Sequence, residues 1–139
     1  MSTAAGPAIN VGDQLEPVTR VVSQDQINAY AEASGDFNPI HVDEDFARSV
    51  GLPGTIAHGL LEMGILAEAI ARWAGSSDAL LGLECRFSKP LRAGDSITCS
   101  GRVAAVDDAE GIATLDVEAT SDRGERVLTN GRAQVRLSR

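Results

Sequence analysis

The stretch Ser34 to His41, SGDFNPIH, contains the residues of this chain best suited to acid–base chemistry. Asp36 and His41 are an acid and one of only two histidines, with the amide of Asn38 between them. Near pH 7 an aspartate is normally ionised and a histidine is largely neutral, so the pair could accept a proton and return it. The same residue types are ordinary turn formers, so this stretch alone leaves a purely structural role open.

The second histidine lies at the start of a long apolar segment. His58 and Gly59, in GTIAHGLL, precede a predicted helix whose first backbone N–H groups lack intrahelical partners and whose dipole is positive there. Such a helix start could stabilise negative charge that develops on a carbonyl oxygen, and Gly59 would let a ligand approach the backbone closely. For His58 itself we expect a local hydrogen bond that orients its own turn.

Neither metal binding nor a redox centre is predicted. The two histidines and the scattered carboxylates show no spacing typical of a zinc site. Cys85 and Cys99 form no CxxC motif and lie in segments that alternate like β-strands, so we expect small core or near-surface thiols.

The elements around these residues can be read from capping and breaking signals. Ser23 with Gln26 predicts the start of an amphipathic helix that ends near Gly35. Pro39 favours an extended conformation at the preceding residue, Asn38, which predicts a stiff loop from Asp36 to Asn38. Asp43 should cap a brief helix that stops near Gly51.

The longest element, HGLLEMGILAEAIARWAG, has apolar residues around nearly its whole circumference, which predicts a helix buried inside the fold and ended by Gly75. The chain around it reads as strands, and Pro17 places the first of these at a sheet edge. One buried helix needs a curved antiparallel sheet around it, so we predict one α+β domain over residues 1–139, with residues 1–10 flexible. The predicted strands are QLEPVTRVV, ALLGLECRF, DSITCSGRVAAV, GIATLDVEATS and RVLTNGRAQVRLS.

The overall charge limits the classes of partner. The chain has 20 acidic and 12 basic residues, a net charge of -8, and no block of Lys or Arg, which disfavours nucleic acid. Neither an export signal nor a membrane span is visible, so a cytoplasmic protein is expected.

Two motifs resemble a known family. YAEASGDFNPIHVDEDFA followed by IAHGLL is similar to the signature of the MaoC-like, R-specific enoyl-thioester hydratases, called hydratase 2, and RFSKPLRAGD resembles a strand and loop of the same proteins. The resemblance covers about Tyr30 to Asp95. It implies a hot-dog fold, in which an antiparallel sheet wraps a central helix, and usually a dimer with its active site near the subunit interface. It further implies reversible hydration of a trans-2-enoyl thioester to the (R)-3-hydroxyacyl thioester without a cofactor.

The same resemblance assigns roles to residues by position. It implies that Asp36 and His41 are the catalytic pair and that the backbone of Gly59 donates to the thioester oxygen. Which member of the pair is the formal base stays open. The supporting residues would be Asn38, Ser34 and His58.

The substrate would then have two parts to bind. The acyl chain would lie along the central helix, although the sequence does not say which helix face looks inward. The candidates near it are Glu62, Met63, Leu66, Ala67 and Ile70. The carrier, coenzyme A or acyl carrier protein, is anionic and would need a basic rim, for which the candidates are Arg86, Lys89 and Arg92; a solvated charged edge would also explain these three.

Two acidic residues of the same helix stand out. Glu62 would be costly in so apolar a helix unless it is solvated or paired, and it could face a dimer partner or a wet channel. Glu68 is spaced to form a surface pair with Arg72.

Other functions remain open at this point. A hot-dog thioesterase would direct water to the carbonyl carbon, and a substrate-holding subunit of a heterodimeric 3-hydroxyacyl-ACP dehydratase would need no chemistry of its own. The assembly expected is a homodimer or higher homo-oligomer, or a heterodimer with a second hot-dog subunit.

Overall fold

A computed structural model describes residues 9–137 of the chain. Five strands and four α-helices follow one another, with a short 3-10 turn at Ser77–Ala79 after the last helix. The helices are α1 Gln24–Ser34, α2 Pro39–Val42, α3 Glu44–Ser49 and α4 Gly59–Ala74. The strands are β1 Val18–Val21, β2 Leu80–Phe87, β3 Ser96–Asp107, β4 Ile112–Ser121 and β5 Arg126–Arg136.

The five strands form one antiparallel sheet in the order β1-β3-β4-β5-β2. The predicted α+β architecture, with a central helix against an antiparallel sheet, is therefore confirmed, and β1 is an edge strand as Pro17 indicated. Two glycines mark close backbone approaches within the sheet. Val117 of β4 pairs with Gly101 on one side and Gly131 on the other, and a side chain at either glycine would collide with the backbone of β4.

The core lies between α4 and the inner face of the sheet. Along β4 every second residue is buried, which is the alternation of a strand with one face on a core. Leu66 and Ile70 of α4 pack in the same cluster as Leu115 of β4, and all three are fully buried. Burying side chains of this size contributes roughly 1.5–3 kcal/mol each, so this contact is the main support for the position of α4.

Helix α4 is less completely enclosed than its composition predicted. Leu60 is 63% exposed, and Gly64, Glu68 and Arg72 continue an exposed row at four-residue spacing. Glu68 and Arg72 lie at the surface as predicted, and Leu60 and Gly64 extend the exposed row, because the sheet of a single chain covers only part of the helix. Glu68 does not pair with Arg72: its carboxylate lies 3.4 Å from the guanidinium of Arg20 on the edge strand.

The predicted helix boundaries are confirmed. The Ser23 hydroxyl accepts a hydrogen bond from the Gln26 N–H, and Asp43 accepts one from the Phe46 N–H. Gly75 ends α4 with φ 89°, a left-handed conformation that glycine adopts without strain.

The predicted flexible segment of residues 1–10 lies mostly outside the described residues. Of its last two residues, Ile9 packs against the core. Within residues 9–137, none of the helices has the length and apolar character needed to cross a membrane.

Candidate active site

The structure brings Asp36, His41 and His58 together, although they come from three separate elements. Asp36 lies in the loop between α1 and α2, His41 within α2, and His58 at the N-cap of α4. Both histidines are buried, whereas about half of the Asp36 side chain is exposed. The Asp36 Oδ2 atom lies 4.0 Å from His41 Nε2, and the two imidazole rings stack with their centroids 3.8 Å apart.

The protonation pattern of His41 follows from its backbone contact. His41 Nδ1 is 2.8 Å from the carbonyl oxygen of Ile56. A carbonyl oxygen only accepts hydrogen bonds, so Nδ1 carries the proton, and in the neutral ring Nε2 has the free lone pair. That lone pair is on the side of the ring nearest the carboxylate of Asp36. The pair therefore offers two proton acceptors that face one small space.

A glutamine fixes the segments that hold His41. The Gln24 amide nitrogen donates to the backbone oxygen of His41 at 2.9 Å, and its amide oxygen accepts from the Thr55 hydroxyl at 2.6 Å. Thr55 precedes Ile56, whose carbonyl receives the His41 ring proton. Gln24 therefore ties α2 to the segment before α4, on both sides of the His41 ring.

The loop of Asp36 is held by its own short hydrogen bonds. Asp36 N donates to the Ser34 hydroxyl, and Asp36 Oδ1 accepts from the N–H of Asn38. The Asn38 side chain in turn caps α2 by accepting from Ile40 N–H, directly before Pro39. Ser34 and Asn38 thus shape the loop, and one carboxylate oxygen is engaged there while Oδ2 faces His41.

His58 has a longer-range contact than we expected. Its Nε2 lies 3.0 Å from the backbone oxygen of Asp36, 22 residues away, and it makes no cap bond to its own helix. The expected local orienting bond is therefore wrong, because the start of α4 lies directly against the Asp36 loop. Nε2 must donate to that carbonyl, which leaves Nδ1 as a buried acceptor without a partner. The Tyr30 ring packs beside His58, with centroids 4.7 Å apart.

Gly59 is the first residue of α4, and the ring of Phe87 lies close against its backbone. The first α4 turn bond runs from Glu62 N to His58 O, so the N–H groups of residues 59–61 have no acceptor within the helix. A Cβ at Gly59 would lie 3.0 Å from the ring of Phe87, at the end of β2. Backbone donors and an aromatic wall therefore meet beside the acid–base pair.

The predicted substrate-binding residues separate into two groups. Met63 and Ala67 are half-buried and follow Gly59 at four-residue spacing along α4. Ile70 is fully buried in the core cluster and is not brought to the site.

The predicted basic residues lie elsewhere. Arg86 and Lys89 are exposed and Arg92 is half-buried. They occupy the end of β2 and the loop after it, and among residues 9–137 they form no ion pair.

Three further ionisable groups lie near α4 in an apolar environment. Glu62 is only 3% exposed, and burial raises its pKa to about 8. Burial also raises the pKa of the Cys99 thiol to about 12, and burial together with the charge of Glu62 raises the pKa of Cys85. Thiols of this kind are poor nucleophiles near neutral pH. The prediction that both cysteines are structural is therefore supported.

Asp36, His41 and His58 also have the composition of a metal site, since one ligand atom of each lies within 4.8 Å of the others. Their hydrogen bonds do not favour that role. His41 Nε2 stays available, but His58 Nε2 already donates to a backbone carbonyl and the remaining nitrogen of His58 is sealed from solvent. The arrangement suits proton transfer better than coordination.

Comparison with known proteins identifies the group to which this fold and site belong. A family model described as a MaoC like domain matches residues 8–124. This chain belongs to the MaoC-like family. The predicted resemblance and the hot-dog fold are thereby confirmed.

Relatives of this MaoC-like chain are named as hydratases and dehydratases. It is 31% identical over 113 residues to an (R)-specific enoyl-CoA hydratase of Aeromonas caviae, covering 81% of this chain and 84% of that protein. It is 30% identical over 135 residues to a mitochondrial 3-hydroxyacyl-[acyl-carrier-protein] dehydratase of Arabidopsis thaliana, covering 95% and 80%. The solved structure of an (R)-hydratase from A. caviae superposes with a TM-score of 0.86 at 27% identity, covering 96% of this chain and all of that one. The chain is accordingly an enzyme of the hydro-lyase class.

Sequence reasoning missed several residues that shape the MaoC-like site. Gln24 and Thr55 form the frame of His41, and Phe87 covers Gly59. The roles of Gln24 and Thr55 depend on side-chain contacts across 31 residues, for which a single sequence carries no signal. Phe87 lies within the RFSKPLRAGD motif, so the sequence did indicate that the segment around Phe87 resembles the family.

Proposed function

We propose that this enzyme adds water reversibly across the double bond of a trans-2-enoyl thioester, giving the (R)-3-hydroxyacyl thioester. The observation that carries the proposal is the pairing of Asp36 Oδ2 with His41 Nε2 at 4.0 Å, next to the start of α4. The two atoms are too far apart for a direct hydrogen bond, but each is within hydrogen-bond reach of one shared water. The half-exposed carboxylate makes that position accessible to a substrate.

The reaction needs two proton transfers, and the pair can supply both. The water oxygen forms a bond to C3, and one water proton passes to an acceptor atom of Asp36 or His41. The π electrons of the double bond move toward the thioester oxygen, and C2 then receives a proton from the pair. One proton is accepted and one is returned, so the enzyme ends in its starting state.

Negative charge on the thioester oxygen would be stabilised at the helix start. The N–H of Gly59 has no acceptor within α4, and the helix dipole is positive at this end. An oxyanion donor of this kind typically contributes on the order of 10²-fold to the rate. Because Phe87 packs against Gly59, the ring would also limit the access of bulk water to the bound thioester.

His58 would act as a positioning residue in this mechanism. Its ring stacks on His41 and its Nε2 holds the backbone oxygen of Asp36, so it contacts both members of the pair. It needs no proton transfer for this role. His58 would therefore affect the distance between the two acceptor atoms rather than their chemistry.

Carrier binding and assembly complete the proposal. Arg86, Lys89 and Arg92 lie at the Phe87 end of β2 and would attract the phosphates of coenzyme A or of acyl carrier protein. Phe37, Leu60 and Phe87 are each more than half exposed and adjoin the site residues, and β2 is an edge strand. Apolar side chains exposed in this way, beside an open edge, favour a second hot-dog subunit over this end of the molecule, most simply an identical copy.

The hydratase reading is better supported than the two alternatives. A thioesterase would direct the water to the carbonyl carbon, whereas the relatives of this chain are named as hydratases and dehydratases. A substrate-holding subunit would not need the acid–base pair, which is assembled here with its complete hydrogen-bonded frame. Both alternatives give measurable outcomes in the same assay.

The test is an assay of the purified protein with crotonyl-CoA and with a longer trans-2-enoyl-CoA. Loss of the enoyl absorbance with formation of the (R)-3-hydroxyacyl-CoA is the expected result, and chiral analysis of the product identifies the enantiomer. Release of free thiol without an alcohol would instead establish thioester hydrolysis. A folded protein that binds both thioesters but converts neither would support the substrate-holding reading.

A further inference from the structure

Glu62 is a buried acid that the proposed mechanism does not use. It is 3% exposed, and no hydrogen bond or ion pair of its carboxyl exists within residues 9–137. Glu68 on the same helix is exposed and paired with Arg20, which is the usual arrangement for an acidic residue. A buried carboxyl without a partner costs free energy that leucine at the same position would avoid. The partner of Glu62 must therefore come from outside this part of the chain.

The position of Glu62 relates it to the site. It follows Gly59 by three residues and His58 by four, so it lies on the same side of α4, about 4.5 Å further along the axis. Its charge raises the pKa of the Cys85 thiol in β2 and of the Cys99 thiol in β3. Glu62 thus lies one layer further along α4 than the contact between Gly59 and Phe87.

The carboxyl is not completely sealed in this position. Among the described residues, one buried side-chain atom has neither a hydrogen-bond partner nor access to solvent, namely His58 Nδ1. The oxygens of Glu62 have no partner either, but they keep a small accessible area. A water-sized group can therefore touch them. An acyl chain whose thioester oxygen is held at Gly59 would extend along α4 into this layer.

We propose that Glu62 forms a polar subsite that binds an uncharged oxygen function, a hydroxyl or a keto group, on the acyl chain of the enoyl thioester. The inference rests on the proposed hydratase function and specifies its substrate class. The preferred substrate would be an oxygenated chain, and a plain hydrocarbon chain of the same length would be bound less well.

The protonation state of Glu62 suits such a ligand. With a pKa of about 8, the side chain is mostly neutral at pH 7 and has both an O–H donor and a carbonyl acceptor. A hydroxyl group can satisfy either of these, and a ketone can accept from the O–H. A methylene chain in the same place would leave the carboxyl unsatisfied, and a pocket built to form a hydrogen bond discriminates against such an analogue.

The experiment compares kcat/KM for two pairs of substrates that differ only in an oxygen. These are trans-2-hexenoyl-CoA with 6-hydroxy-trans-2-hexenoyl-CoA, and trans-2-octenoyl-CoA with its 8-hydroxy derivative. The wild-type enzyme should favour the hydroxylated member of at least one pair by roughly fivefold or more, the value of one net hydrogen bond. Glu62→Leu should reverse the preference, because it lowers kcat/KM for the hydroxylated chain and raises it for the plain one. Glu62→Gln keeps a donor and an acceptor and should retain part of the preference.

Glu68→Leu is the matched control, since it removes an acid from the exposed side of the same helix and should leave the ratio unchanged. An unchanged ratio in Glu62→Leu, or a wild-type preference for both plain chains, would overturn the subsite. Glu62→Leu could instead lower kcat/KM equally for both members of a pair and cause an oligomer to dissociate. That result would also overturn the subsite and show that Glu62 pairs with a second subunit.

A second measurement separates this inference from the proposed function. Saturated hexanoyl-CoA and 6-hydroxyhexanoyl-CoA, and the corresponding octanoyl pair, cannot be hydrated, so their binding by calorimetry reports the subsite without turnover. The wild type should bind the hydroxylated member of at least one pair more tightly, and Glu62→Leu should not. That result would support the subsite even if no enoyl thioester were hydrated. Equal binding within both pairs would contradict it even in an active hydratase.

Discussion

The two ends of helix α4 are built in different ways. Its N-terminal end meets the site through single polar contacts: one carbonyl for each histidine, and one glutamine that joins two segments. Further along, α4 is held by apolar side chains of the sheet that pack in one cluster with it. Substitutions at the N-terminal end should therefore affect activity more than stability, and substitutions in the core should do the opposite.

The largest effect is expected from Asp36→Asn at the polar end. The change removes the carboxylate but keeps the shape of a side chain that is about half exposed. Turnover should fall by about 100-fold or more, as is typical when an acid–base group is lost, while the melting temperature stays close to that of the wild type. Asp45→Asn, on the exposed side of α3, serves as the control for surface charge. Near-normal turnover in Asp36→Asn would remove this residue from the pair.

The core should give the reverse result. Leu115→Ala removes a fully buried side chain of β4 and should lower the free energy of unfolding by about 2–5 kcal/mol, measured by urea titration. The kcat of the remaining folded enzyme should change little. Asp116→Ala, the next residue on the outer face, should change stability by about 0.5 kcal/mol or less. A large loss of kcat in folded Leu115→Ala would show that the two regions are not separable.

Glu62 belongs to both regions, and its effect depends on pH. In the unfolded chain this carboxyl ionises near its ordinary pKa of 4.5, whereas the folded protein keeps it protonated up to about pH 8. The unfolded state therefore binds fewer protons in this interval, and stability falls as pH rises, by at most about 1.4 kcal/mol per pH unit. Glu62→Gln should be less sensitive to pH than the wild type between pH 5 and 8. Parallel stability curves for the two proteins would contradict the burial of an unpaired acid.

The smallest effect is expected from the frame around His41. Gln24→Ala removes the link between α2 and the Thr55 segment, and we expect a loss of roughly fivefold to tenfold in kcat, corresponding to about 1 kcal/mol. KM should change less than kcat, because the change affects the position of the pair and not the binding of the acyl chain. Glu32→Ala, on the exposed side of α1, is the matched control. A change confined to KM would place Gln24 in substrate binding instead.

The features that could be predicted from the sequence are those with local signals. Capping residues, the apolar helix and the alternating strands gave the fold, and the motifs around Asp36 and Gly59 gave the family. The contact of His58 with the Asp36 loop and the clamp of Gln24 could not be predicted, because each joins segments about 20 to 30 residues apart. The exposure of Leu60 and Gly64 on α4 was missed for a related reason. An apolar composition does not show which face of a helix the chain's own sheet will cover.

The central claim is that Asp36 and His41 act on one shared water from the same side of the double bond. Hydration of a trans-2-enoyl-CoA in D₂O by the purified enzyme tests it most directly, with the configuration of the product at C2 and C3 determined by NMR. The two acceptor atoms lie only 4.0 Å apart, so the account predicts that the hydroxyl at C3 and a single deuterium at C2 are added to the same face. Deuterium on the opposite face, or a failure to form the alcohol, would contradict it.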